Sequence, residues 1–149
     1  MSEVQASASA AHTHTTPWRR PDERRGSILI VDDDEFIGTT LMRLLERNFD
    51  VAMTTRSAQA RDWLLRGDRY DVILCDLLMP QLSGMDLHEQ LAIAAPDQAN
   101  RMIFLTGGSL NTDVRNFLDR VPNPRLEKPF ELASLLTLIK ARLHSPVSH

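Results

Sequence analysis

The chain carries a single cysteine in 149 residues, Cys75, so an intramolecular disulfide is excluded, and with it the stapled architecture of small secreted domains. It has no run of about 18 apolar residues, so no transmembrane helix is expected. Neither sign of charge dominates: 17 Lys and Arg stand against 20 Asp and Glu, for a net charge of −3 and a pI near 5.9. That balance points away from a nucleic-acid-binding surface. The N-terminus lacks the basic segment and apolar core of a signal peptide, and a cytoplasmic protein without membrane or nucleic-acid partners is expected. Large apolar periodicity is missing from Met1 to Thr16, which is rich in Ala, Ser, Thr and His. Such a segment cannot offset its ordering entropy by burial, so residues 1–26 are expected to be a disordered extension. Within it, Trp18-Arg19-Arg20-Pro21 with Arg24-Arg25 reads as a solvated basic linker, and His12 and His14 as functionally silent. Residues 145–149 are expected to be a short flexible tail, leaving 27–144 as one domain, a length whose core is stable without staples.

What is present begins with Asp32-Asp33-Asp34, directly after the apolar run Ile28-Leu29-Ile30-Val31. Four β-favouring residues after Gly26 read as a strand buried on both faces, with the acids at its carboxyl end. Ligands bind at that edge of open α/β sheets, and clustered carboxylates repel one another unless a cation lies between them. A hard divalent ion, magnesium above all, suits them. The competing reading makes Asp32 to Glu35 a solvated cap on the next helix. Three further runs end in chemistry-bearing residues. Tyr70 to Cys75 ends at Asp76, Arg101 to Leu105 at Thr106-Gly107-Gly108, and Arg125-Leu126-Glu127 at Lys128-Pro129-Phe130.

Between these runs the apolar spacing becomes helical. Ile37, Leu41, Leu44 and Leu45 share a face, as do Ala60, Trp63 and Leu64; Leu87 and Leu91; Val114, Phe117, Leu118 and Val121; and Leu132, Leu135, Leu136, Ile139 and Leu143. These stripes read as core. With a weaker strand at Val51-Ala52-Met53-Thr54, the order is (βα) five times. Right-handed crossovers then require a doubly wound five-stranded parallel α/β sheet covered on both faces. Acid cluster, lone acid, hydroxyl and ammonium thereby converge on one edge. Cys75, inside a buried strand, reads as an inert packed thiol.

The segments Ile28 to Asp34, Asp71 to Pro80 with Gly84, Phe104 to Gly107, and Lys128-Pro129-Phe130 resemble, in order and spacing, the receiver domain of two-component response regulators. The resemblance runs from Gly26 to Leu143. It implies a flavodoxin-like fold and a stand-alone response regulator, not a turnover enzyme. A phosphohistidine on a histidine kinase or phosphotransfer protein would pass its phosphoryl group to Asp76 in a Mg²⁺-dependent transfer, and signalling to an output protein would follow by protein contact. It also implies that Asp33 binds Mg²⁺ directly and Asp32 mainly through water, with Asp76 and the Leu78 backbone carbonyl as further ligands. Lys128 would contact the phosphoryl oxygens, Thr106 would donate a hydroxyl, and Gly107 would leave room for the group. Asp34 falls outside the metal pair and is assigned to helix capping. The Lys128–Pro129 bond would be cis. Output would pass through the fourth helix, fifth strand and fifth helix, with Arg125 and parts of 111–120 and 131–143.

Two departures from the family pattern stand out. Arg125 stands where many receivers carry Tyr or Phe, which puts the usual coupling of threonine to an aromatic ring in doubt. Leu78 and Gly108 carry no polar group to orient an attacking water, so slow hydrolysis of the acyl phosphate is expected. Two rival readings exist. Asp32-x-Asp34 after a strand also fits haloacid-dehalogenase-like phosphatases, with Asp32 as nucleophile, but Glu131 is the only acid beyond Lys128, where those enzymes need a metal-binding acidic pair. A receiver-like interaction module that needs no phosphorylation is the other.

Overall fold

The computed structural model describes residues 25–108 and 111–144. The expectations for the first 24 residues and for 145–149 lie outside the described residues. The order is β1 (Ser27–Val31), α1 (Glu35–Leu45), β2 (Asp50–Thr54), α2 (Ser57–Leu65), β3 (Val72–Asp76), α3 (Gly84–Ala94), α4 (Pro96–Ala99), β4 (Met102–Gly107), α5 (Thr112–Arg120), β5 (Arg125–Lys128) and α6 (Leu132–His144). The strands form one all-parallel sheet in the order β2-β1-β3-β4-β5, the doubly wound flavodoxin-like arrangement.

Period-two alternation sends successive strand residues to opposite faces, and two separate cores result. Leu29, Val31, Ile73, Cys75, Met102 and Phe104 pack with Trp63 and Leu64 of α2, Leu87 and Leu91 of α3, and Val114, Phe117 and Leu118 of α5. On the other face, Ile28, Ile30, Val72, Leu74, Ile103 and Leu105 pack with Leu41 and Leu45 of α1 and Leu135 and Ile139 of α6. The central strands are apolar throughout because both their faces are covered, as the run of four in β1 suggests.

The helical stripes are narrower than the sequence suggests. Leu44 is 40% exposed, because the buried line of α1 runs through Leu41 and Leu45 and leaves Leu44 at its margin. Leu132 opens α6 at 36% exposure, before the helix settles on the sheet. Val121 is the extended residue that ends α5 and lies outside the helix. The short helix α4 was not anticipated; Pro96 occupies its first turn, where a missing N–H costs nothing. Among the described residues, no helix is long and apolar enough to cross a membrane.

Candidate functional site

Register places the chemistry. Val31 lies beside Cys75, so the chains leaving β1 and β3 bring Asp32 next to the level of Asp76. Asp76 pairs with Leu105, which sets Thr106 one residue beyond it, and Gly107 lies beside Lys128. Asp32, Asp33, Asp76, Thr106 and Lys128 therefore gather at one carboxyl edge.

Asp32 is fully buried, whereas Asp33 and Asp34 are exposed, so the three consecutive acids have three different environments. One Asp32 oxygen accepts from the Asp34 backbone N–H at 2.9 Å, and the other from Lys128 Nζ at 2.9 Å. Asp34 is the N-cap of α1, its carboxylate accepting from the Ile37 N–H at 3.2 Å. The capping reading thus holds for Asp34 and fails for Asp32. Oxygens of Asp32, Asp33 and Asp76 all lie within 4.8 Å of one another. This all-carboxylate donor set fits a hard divalent cation such as Mg²⁺.

Lys128 Nζ lies 3.6 Å from Asp76, at side-chain exposures of 20% and 13%. Burial, with Asp32 and Asp33 adding like charge, pushes the Asp76 carboxyl up to about 6, against the pull of Lys128 and a hydrogen bond from the Leu78 backbone N–H. Burial opposes the Lys128 charge, but the Asp32 hydrogen bond and the charges of Asp76 and Asp32 outweigh it and raise its pKa. The ammonium is therefore retained throughout the physiological range. Thr106 is buried at the carboxyl end of β4. A Cβ at Gly107 would lie 3.9 Å from Lys128 Cδ, ordinary contact, so room at 107 matters only for an incoming group. The Lys128–Pro129 bond is cis. Leu78 is half exposed beside Asp76, and Arg125 is exposed on β5. Cys75 Sγ donates to the Asp76 carbonyl, and burial pushes its thiol far up, away from reactivity.

Gly84 has a role that its turn-like sequence does not disclose. A Cβ there would lie 2.3 Å from the Asp76 carbonyl oxygen and 3.0 Å from Leu77 Cα, while the Gly84 N–H donates to Leu77 O at 2.9 Å. The start of α3 thus rests on the backbone of the Asp76 strand end. Ser83 and Asp86 close a capping box behind it, and this Ser-x-x-Asp spacing was the available signal.

The fold and site together define a doubly wound parallel α/β module with three carboxylates and a lysine gathered at the carboxyl edge of its sheet. The family model for the response regulator receiver domain matches residues 28–140, and the chain belongs to that family. It is 32% identical over 120 residues to the uncharacterized transcriptional regulatory protein YkoG of Bacillus subtilis, covering 80% of this chain and 51% of YkoG. It is also 32% identical over 117 residues to the response regulator MprA of Mycolicibacterium vanbaalenii, covering 78% and 49%. The chain thus spans about half the length of these relatives. Among solved structures, a response regulator receiver domain protein from Clostridium thermocellum superposes with a TM-score of 0.66 at 28% identity, covering 79% of this chain and 94% of that one.

Proposed function

We propose that this receiver accepts a phosphoryl group on Asp76 from a phosphohistidine of a histidine kinase or phosphotransfer protein, and passes the signal on by protein contact in the cytoplasm. The observation that carries the reading is the placing of Asp76, mostly buried yet faced by Lys128 and flanked by two further carboxylates. With its pKa near 6, Asp76 is largely ionised at neutral pH and competent as a nucleophile. An Asp76 oxygen attacks phosphorus, the new O–P bond forms as the N–P bond breaks, and the histidine nitrogen leaves with the electron pair. Lys128 moves its ammonium from Asp32 toward the phosphoryl oxygens, and Thr106 offers its hydroxyl to one of them. Asp32, Asp33, Asp76 and the Leu78 carbonyl would hold Mg²⁺. When bound, the ion neutralises charge on the transferring group. Leu78 and Gly108 supply no polar group to orient water, which favours a long-lived acyl phosphate.

The test is incubation with Mg²⁺ and acetyl phosphate. One hydroxylamine-labile phosphoryl group per chain is expected, and none on Asp76→Asn. Label on Asp32 with Asp76→Asn still reactive would overturn the assignment in favour of the phosphatase-like reading.

A further inference from the structure

His88 is a buried ionisable group that the phosphoryl chemistry leaves unused. It projects from α3 at 9% exposure, with its ring centroid 5.7 Å from Phe104 of β4 and 5.4 Å from Phe117 of α5, both in edge-to-face arrangement. The two phenyl rings are themselves 5.2 Å apart. A neutral imidazole suits this ring cluster; a charged one does not. Beside it, in the α5–β5 connection, Asn123 is 7% exposed and ties separate segments together. Its Nδ2 donates to Ala99 O at 2.8 Å and to Met102 O at 2.9 Å. Its Oδ1 is buried and has no hydrogen-bond partner among the described residues.

The charged groups around His88 are few. Glu89 on α3 and Arg120 on α5 act on it in opposite senses and pair with each other at 3.5 Å on exposed side chains, where water screens both. β4 presents only Phe104. Burial dominates over the neighbouring groups and holds the His88 pKa below its usual value.

We propose that His88, packed edge-to-face against Phe104 and Phe117, forms an acid-sensitive latch between α3 and α5, closed while the imidazole is neutral and opened when it takes up a proton. The proton comes from solvent and lands on the free ring nitrogen. The charge then lies between two phenyl rings, and movement of α5 away from α3 relieves it. The inference stands apart from phosphorylation of Asp76.

The sign follows from linkage. A histidine whose folded value is lowered adds stability that is complete above the unfolded value of about 6.5 and is lost as pH falls below it. Asp76 acts in the opposite sense over an overlapping window, so the informative quantity is the difference between wild type and His88→Phe. Denaturant midpoints and α5 amide exchange are compared at about pH 7.5 and about pH 5, with the wild-type imidazole followed by NMR. Expected are an imidazole that titrates below the ordinary histidine range, a wild type that loses stability in acid relative to His88→Phe, and α5 amides that open faster in acid only when His88 is present. Asn123→Asp should move the imidazole titration upward. A wild-type imidazole that titrates at or above the ordinary value, or α5 exchange with the same pH dependence in His88→Phe, would overturn the latch.

Discussion

The two edges of the sheet are built from the same residue types and do opposite things. At the amino edge several polar side chains close backbone groups. Asp71 accepts from the Ser27 N–H at 2.9 Å and hydroxyl at 3.2 Å, and Gln98 both accepts from the Tyr70 N–H at 2.8 Å and donates to its carbonyl at 3.1 Å. Arg101 reaches the carbonyls of Asp71 and Arg142, and Arg25 those of Glu46 and Phe49. At the carboxyl edge three carboxylates crowd around one ammonium. Side-chain-to-backbone hydrogen bonds hold the first edge in place, while the second keeps unspent repulsion for an incoming cation and phosphoryl group. Stability and reactivity are thus separated by the length of a five-residue strand.

Gly84→Ala should break the contrast most severely, because its methyl group meets the backbone under Asp76. A loss of about 3 kcal/mol in denaturant unfolding is expected, together with slower phosphorylation; a neutral variant would show that α3 does not support the site. Gln98→Ala confines the damage to the amino edge. It leaves the buried Tyr70 N–H and C=O without partners and should cost about 2 kcal/mol, with the rate of phosphorylation per folded molecule unchanged.

The carboxyl edge should respond with the opposite sign. Asp33→Ala removes an exposed like charge, so in metal-free buffer it should raise stability by about 0.5 kcal/mol while abolishing the stabilisation that Mg²⁺ gives wild type. An undiminished Mg²⁺ response would remove Asp33 from the metal site. A further effect concerns pH. The folded Asp76 carboxyl, near 6 against an ordinary 3.8, binds its proton more tightly than the unfolded chain does. That stabilisation is complete below the ordinary value and is lost as pH rises through about 6. In metal-free buffer, wild type should therefore lose stability relative to Asp76→Asn as pH rises across this window, as parallel unfolding titrations can check.

Legibility in the sequence tracks how local each feature is. β1, β3 and β4 announce themselves because burial on both faces demands uninterrupted apolar runs, and the residues that follow them converge by topology alone. Asp32, Asp33, Asp76, Thr106 and Lys128 could therefore be brought to one edge before any coordinates. The amino-edge locks could not. Gln98 and Tyr70 are 28 positions apart, and Ser27 and Asp71 are 44, so no pattern in either segment marks the pair. His88 was unreadable for another reason: it lies one position from Leu87, and a polar residue beside an apolar stripe reads as solvated until the neighbouring helices are in place. Leu44 failed by the same margin in reverse, since a quarter-turn of helix decides between core and solvent.

The division of the interior into two cores has a mechanical consequence. Residues 28, 30, 72, 74, 103 and 105 face one chamber and 29, 31, 73, 75, 102 and 104 the other, so the sheet acts as a septum between them. A rearrangement among α2, α3 and α5 cannot be handed to α1 and α6 by side chains jostling one another. It must travel as a shift of the strands themselves, or around the rim, where Lys128 from the last strand grips Asp32 beyond the first. Lys128 also faces Asp76, so this ionic bridge spans the sheet from its edge strand to its interior. Releasing it would loosen the rim between the two chambers.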